Sequence, residues 1–253
     1  RLLAQLTRSG QSIGFLAGLP TEQLRRLSEE ATASARVPAL VDPSEMITRC
    51  VDAVRRLDAR ALESLFSAAE TELGMQGMLQ RLIGPLAETI GNEWRDGSLT
   101  AAHEHFASAV LRTLLGQAVR PFAGSENGPV IVIATPGGQL HELGALIAGA
   151  LATNLGWRVI YLGASLPAAE IAGTARQHLA RVVGLSLVYP EDDPRLDAEL
   201  SRLRELLPAD VRIVVGGRAA PAYQQTLTRI GATHVGTLPS FSAYLDEIRR
   251  PPG

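Results

Sequence analysis

The sequence is poor in the features that would mark a secreted, membrane-bound or nucleic-acid-binding chain. Cys50 is the single cysteine among 253 residues, so neither an intrachain disulfide nor a cage of thiolates around a metal can form. No apolar run approaches the roughly 18–20 residues of a membrane span, and no charged and then apolar leader opens the chain. The formal net charge of −2 offers no basic excess to neutralise phosphates. We therefore expect a cytoplasmic protein without membrane contact that does not bind DNA through this chain alone.

Three segments with different patterns follow one another along the chain. Residues 1–33 consist of short helical pieces, and residues 43–121 contain four amphipathic helical patterns with few β-branched runs. Residues 128–250 alternate between strand and helix patterns, with strand candidates "VIVIAT", "RVIYLG", "VVGLSLV", "VRIVVGG" and "THVGT". The fold class is therefore α followed by α/β. We predict a four-helix bundle and then a doubly wound, five-stranded parallel sheet of the Rossmann or flavodoxin-like kind.

One histidine stands where such sheets bind ligands. His141 lies between the loop "PGG" and an apolar helical run, directly after the first predicted strand, and Gly144 follows it by three positions. Ser186 in "GLSLV" and the pair Gly216–Gly217 in "VVGG" come at the ends of two further strands. Carboxyl ends of parallel strands share one edge of the sheet, so these residues are predicted to lie near one another.

"QLHELG", "GLSLV" and "VVGG" together resemble the signature of the cobalamin-binding domain, D-x-H-x-x-G, then S-x-L, then G-G. The resemblance implies that His141 is the lower ligand of the cobalt. It also implies that Gly144, Ser186 and the Gly216–Gly217 pair line the slot for the displaced nucleotide tail. A neutral imidazole is a good ligand for cobalt. Gln139 stands where that signature has an acidic residue, and we expect its amide to orient His141.

The helical segment carries a second motif, in which Trp94 is followed after nine residues by Glu104 and His105. This spacing resembles the CarH-type photoreceptor regulators and implies that these three residues surround the adenosyl group of adenosylcobalamin. Trp94 also continues an apolar stripe, so burial in the bundle core is the alternative interpretation. Arg95 follows the tryptophan where some of these photoreceptors have a histidine that captures the cobalt after photolysis.

The stretch "GQSIGFLAGLPTEQLRRL" within residues 1–33 resembles the carboxyl-terminal part of a MerR-type DNA-binding domain. The resemblances together imply the sensor region of a transcriptional regulator, not an enzyme. In the dark, adenosylcobalamin would hold a homo-oligomer, a dimer or tetramer, that binds DNA through a winged helix-turn-helix preceding this chain. Light would break the cobalt–carbon bond and release the assembly.

Two other functions fit parts of the same sequence. A sensor of this fold could hold haem or a bilin, because Arg95 could pair with propionates that cobalamin lacks. A corrinoid carrier protein for methyl transfer would share the bundle and the sheet. Such a carrier usually keeps the acidic residue at position 139 and has no reason to begin with a MerR-like segment.

Overall fold

The computed structural model describes residues 42–118 and 128–249. The chain divides into two compact units, residues 1–45 and 46–253, and the first of these is described only from Asp42 onward. The MerR-like segment predicted for residues 1–33 therefore lies outside the described residues. So do residues 119–121 of the predicted bundle and residue 250 of the predicted α/β domain.

All four helical patterns of the first part form helices. Their bounds are Pro43–Arg55 (α1), Ala59–Met78 (α2), Gly84–Arg95 (α3) and Ala101–Ala118 (α4), with a π-helical turn, Leu79–Ile83, between α2 and α3. Asp58 caps α2, since its carboxylate accepts a hydrogen bond from the backbone N–H of Ala61 at 3.0 Å. α2 is kinked at Gly74, whose φ of +66° is non-helical. Buried aliphatic and aromatic side chains hold these helices together, among them Leu62, Phe66, Leu82, Leu86 and Leu111.

A tight turn reverses the chain between α3 and α4. Gly97 has a φ of +85°, the left-handed conformation that ends helices, and its N–H donates to the carbonyl of Trp94 at 3.3 Å. On the far side of the turn, the Nδ1 atom of His103 accepts from the backbone N–H of Thr100 at 3.2 Å. His103 thus fastens the start of α4, and the turn fixes where the end of α3 and the first turn of α4 lie relative to each other.

The second part is a five-stranded sheet in the order β2-β1-β3-β4-β5, with every neighbouring pair parallel. The strands are Val130–Pro136 (β1), Arg158–Leu166 (β2), Val182–Ser186 (β3), Arg212–Gly216 (β4) and Thr233–His234 (β5). The helices are Leu143–Asn154 (α5), Ala168–Gln177 (α6), Leu196–Leu206 (α7), Gln224–Arg229 (α8) and Leu238–Arg249 (α9), with a 3-10 turn at Ala220–Tyr223. This confirms the predicted fold class. The strand order reverses at β1 and β3, which makes their carboxyl ends the expected ligand site.

Helices cover both faces of the sheet, as a parallel sheet requires. On one face α6 and α7 pack on an aliphatic core that includes Ile171, Leu200 and Ile213. On the other, α5 contacts β1, β2, β3 and α9, and it also contacts α4 of the bundle. Gln76 on α2 donates to the hydroxyl of Ser242 on α9 at 3.3 Å. The bundle therefore lies against the face of the sheet that α5 and α9 cover.

Within the described residues no helix is long and apolar enough to cross a membrane.

Candidate functional site

The loop after β1 is tied to the neighbouring strand ends before it reaches His141. The Thr135 hydroxyl donates to the backbone carbonyl of Gln139 and accepts from the N–H of Ser165 at 2.8 Å. Gly138 has a φ of +87°, and a Cβ there would lie 2.6 Å from the carboxylate of Asp193. Its N–H donates to the Ser165 hydroxyl at 3.1 Å. These contacts fix the path of the loop at the switch point between β1 and β3.

His141 lies at the carboxyl edge of the sheet, where the sequence predicts it. Its side chain is half-buried and forms no hydrogen bond with any described residue. The ring of Tyr189 meets it edge to face, with centroids 5.8 Å apart and an angle of 85° between the planes. The imidazole therefore keeps a nitrogen lone pair free for a metal.

Gly144 and Ser186 meet directly. A Cβ at Gly144, in the first turn of α5, would lie 2.6 Å from the hydroxyl oxygen of Ser186 at the end of β3. The lack of a side chain at Gly144 thus lets α5 lie close to the end of β3. Gly144 and Ser186 lie at one edge of the sheet, as predicted, but they contact each other and do not only line a slot for a ligand.

The Gly216–Gly217 pair ends β4 at the same edge, because Gly216 pairs in register with Ser186. Gly217 has a φ of +97°, and a Cβ there would overlap the backbone carbonyl of Leu187. At Gly216 a Cβ would reach only an ordinary contact, 3.4 Å from the carbonyl oxygen of Val235. Glycine is required at position 217 because any side chain there would overlap the backbone of Leu187. At position 216 the neighbouring backbone does not by itself require glycine.

The amide of Gln139 does not hydrogen-bond to His141, contrary to the expectation from the sequence that it orients the ring directly. The side chain is buried, and its Oε1 atom accepts from the backbone N–H groups of Val188 and Tyr189 at 2.9 and 3.0 Å. Its Nε2 atom donates to the carbonyl of Pro190 at 3.0 Å. The reason is geometric, since the loop after β3 presents two donors and one acceptor within reach of a single amide.

The bundle residues of the predicted site take different environments. Trp94 is 37% exposed, so it does not lie in the bundle core, which was the alternative interpretation. Glu104 accepts from the hydroxyl of Ser108 at 2.6 Å and lies 2.7 Å from Nδ1 of its neighbour His105. The imidazole of His105 is 81% exposed. An aromatic ring and a carboxylate on adjacent, packed helices can thus face a ligand.

Sequence reasoning missed the residues that join the bundle to the sheet. Glu142, directly after His141, accepts from Nε of Arg112 on α4 at 2.8 Å and from the hydroxyl of Tyr161 on β2 at 2.7 Å. Burial raises the pKa of Tyr161 above its ordinary range, and the bond to Glu142 adds to the rise. No local pattern signals these partners, because they are 30 and 19 residues away.

Arg218, which comes directly after the glycine pair, is a further charged residue at this edge of the sheet. Burial, followed by the positive charge of Arg95, lowers the pKa of Arg218. Arg218 also donates from Nε to the carbonyl of Val188 at 3.1 Å.

The protein ligands at this site suit a metal that is already held by a larger cofactor and not a bare metal ion. Among residues 42–118 and 128–249 no three His, Cys, Asp or Glu side chains converge in a way that could hold a bare ion. A metal already bound by the four nitrogens of a tetrapyrrole needs only an axial ligand from the protein, and His141 with its free lone pair can supply one.

Comparison with known proteins identifies the class. A family model described as "B12 binding domain" matches residues 129–240, and a second model with the same description matches residues 46–118. The two matches cover most of the described structure. The chain therefore carries both B12 binding domains, and the residues at the strand ends fit a B12 cofactor.

Particular relatives follow from the same comparison. The chain is 28% identical over 240 residues to the HTH-type transcriptional repressor CarH of Myxococcus xanthus, covering 92% of this chain and 78% of that protein. It is 29% identical over 197 residues to the repressor CarA of the same organism, covering 78% of this chain and 66% of CarA. This confirms the resemblance to the CarH-type regulators. The structure of the Methanosarcina barkeri monomethylamine corrinoid protein shares the fold, with a TM-score of 0.62 at 15% identity over 81% of this chain and 99% of that one.

Proposed function

We propose that this chain is the adenosylcobalamin-binding, light-sensing region of a CarH-type transcriptional regulator. The observation that carries the proposal is His141, a half-buried imidazole without a hydrogen bond to any described residue, at the β1–β3 switch point. The B12 binding domain matches and the similarity to CarA and CarH support it.

The proposal gives each part of the chain a role. Residues 128–250 form the cobalamin-binding domain, with His141 as the cobalt ligand. Gly144, Ser186, Gly216 and Gly217 belong to the strand-end region that receives the nucleotide tail.

Residues 43–121 form the bundle over the opposite face of the cofactor. There the exposed ring of Trp94 covers the adenosyl group, and Glu104 and His105 lie beside it. The carboxylate of Glu104 offers acceptors for ribose hydroxyls.

The light-sensitive cobalt–carbon bond is the chemistry that the cofactor supplies. The protein converts the presence or absence of the adenosyl group into a packing change, because Trp94 has a surface to cover only while that group is bound. The contact between Arg112 and Glu142 transmits the bundle's position to the loop of His141. The homo-oligomer, a dimer or tetramer, and its binding to DNA respond to that change, and residues 1–33 are the carboxyl-terminal part of the MerR-type DNA-binding domain.

The test of the cobalt ligand uses two histidine variants of the chain in solution. His141→Ala should lose the axial nitrogen, weaken cobalamin binding about 10-fold or more and change the visible spectrum. His178→Ala is the matched control, because His178 ends α6 at the opposite edge of the sheet. Unchanged affinity and spectrum in His141→Ala would refute the assignment.

The role of the bundle is tested by cofactor preference. The unmodified chain should retain adenosylcobalamin better than methylcobalamin, and Trp94→Ala should reduce that preference because the ring no longer covers the adenosyl group. Arg95 stays protonated and has no free lone pair, so it cannot take the upper position after illumination. Illuminated protein should therefore release its cofactor faster than an Arg95→His variant. Equal retention of both cobalamins by the unmodified chain would exclude an adenosyl pocket.

Haem or bilin binding is the second candidate, favoured by the two arginines Arg95 and Arg218, since burial and then the positive charge of Arg95 lower the pKa of Arg218. Two guanidinium groups could pair with the propionates of those tetrapyrroles. Absorption spectra of the purified chain mixed with adenosylcobalamin, haem or biliverdin decide between them. Stoichiometric binding of haem or biliverdin, without binding of cobalamin, would replace the first proposal.

A further inference from the structure

Several side chains hold the loop after β3, and the buried Gln139 makes the bonds next to Tyr189, while Arg218 bonds to Val188 and the hydroxyl of Tyr223 to Asp193. Gln139 uses both ends of its amide on this loop, since Oε1 accepts from Val188 and Tyr189 and Nε2 donates to Pro190. A carboxylate could accept the two N–H bonds, but it has no proton to donate to the carbonyl of Pro190. The pairing therefore requires an amide at position 139.

The loop after β3 carries Tyr189, and the ring of Tyr189 is the group that contacts His141. Tyr189 is 53% exposed, so neighbouring side chains fix its position weakly and the backbone of its loop decides where it lies. Its hydroxyl forms no hydrogen bond with a described residue, and the contact with the imidazole is made by the ring alone. Edge-to-face pairs at this separation are favourable and restrict the plane of both rings.

We propose that Gln139 and Tyr189 are positioning residues for His141, with Gln139 fixing the loop and Tyr189 setting the plane of the imidazole that binds the cobalt. The inference rests on the proposed function for the cobalt, but the contact between the two rings is made by protein atoms alone. It predicts that a carboxylate at position 139, the residue type of the family signature, weakens the site in this chain. Loss of the donor leaves the carbonyl of Pro190 facing a negative oxygen and shifts Tyr189 away from His141.

The experiment compares two pairs of variants in the full chain. Tyr189→Leu removes the aromatic ring, whereas Tyr189→Phe keeps it and removes only the unbonded hydroxyl. Gln139→Glu removes the amide donor. Gln224→Glu is its matched control, because the Gln224 side chain is exposed on α8 and its one hydrogen bond goes to the hydroxyl of Thr228.

The first measurement is made without cofactor. The imidazole proton resonances of His141, assigned by their loss in His141→Ala, should move in Tyr189→Leu and Gln139→Glu as the ring current of Tyr189 is lost. They should stay in place in Tyr189→Phe, because that variant keeps the ring beside His141. They should also stay in place in the control variant Gln224→Glu. Unmoved resonances in Tyr189→Leu would overturn the proposal, as would equal displacement in the Phe and Leu variants.

The second measurement is cobalamin affinity with the visible spectrum of the bound form. Tyr189→Leu and Gln139→Glu should bind about 10-fold more weakly, the loss seen when an outer partner of a metal ligand is removed, and show less histidine-ligated cobalamin. Tyr189→Phe and Gln224→Glu should match the unmodified chain. Tighter or unchanged binding in Gln139→Glu would overturn the role of the amide, and should that variant not fold, the Tyr189 pair decides. Failure of the unmodified chain to bind cobalamin would reject the proposed function, while the resonances still test the contact.

Discussion

Removal of the Glu142 side chain should destabilise the fold more than removal of Arg112, its partner on the bundle. Its carboxylate accepts from Arg112 at 2.8 Å and from Tyr161 at 2.7 Å, so one substitution breaks two bonds. The Arg112 side chain is 52% exposed, and such a pair contributes about 0.2–1 kcal/mol. The hydroxyl of Tyr161 is half-buried and bonds to a charged group, which contributes about 1.5–3 kcal/mol.

Glu142→Ala should therefore lower the free energy of unfolding by roughly 2–4 kcal/mol, the sum of those two ranges. For a unit of about 200 residues this corresponds to a melting temperature lower by roughly 5–15 °C. Arg112→Ala should cost no more than about 1 kcal/mol, and added salt should weaken only that part. Thermal unfolding followed by circular dichroism at pH 7, with and without added salt, gives both losses, and the Arg112→Ala/Glu142→Ala double variant measures their coupling. A loss in Glu142→Ala no larger than in Arg112→Ala would refute the reasoning, because the bond to Tyr161 would then contribute nothing.

The raised pKa of Tyr161 adds a pH signature to the same experiment. In the unfolded chain the phenol ionises near its ordinary pKa of about 10, but in the folded chain it stays neutral to higher pH. The stability from this group is therefore fully present below pH ~10 and is lost as the pH rises toward the folded pKa. Tyr161→Phe should show a smaller alkaline loss of stability, and an equal loss would mean that another group titrates.

Three further predictions concern the glycines and the cysteine. Gly217→Ala should destabilise the fold by about 1–3 kcal/mol or more, because a Cβ there overlaps the backbone of Leu187, whereas Gly216→Ala should cost less; equal unfolding temperatures would contradict this. Gly144→Ala should perturb the fold through contact with the Ser186 hydroxyl, and Ser186→Gly should restore much of the lost unfolding temperature. Burial raises the pKa of Cys50 to about 12, so iodoacetamide at pH 8 should modify it only after unfolding, and rapid labelling of the native chain would contradict its burial.

The sequence by itself determined the order of elements and the place of His141. Strand and helix periodicities are local, so "VIVIAT" followed by an apolar helical run was enough to predict β1, α5 and a histidine at their junction. Parallel strands then bring Ser186 and Gly216 to the same edge without further information.

Only the tertiary structure decided which atoms those residues meet. Gln139 bonds to residues 49–51 positions away, and no periodicity tells whether its amide reaches the His141 ring or the loop of Tyr189. Trp94 fits an apolar stripe by spacing, yet its exposure depends on which surface α3 presents after the turn at Gly97. Arg112, Glu142 and Tyr161 come from three separate elements, and their contact exists only because α4, α5 and β2 pack together. Local patterns set each element's form, while such long-range contacts depend on the packing of all of them at once.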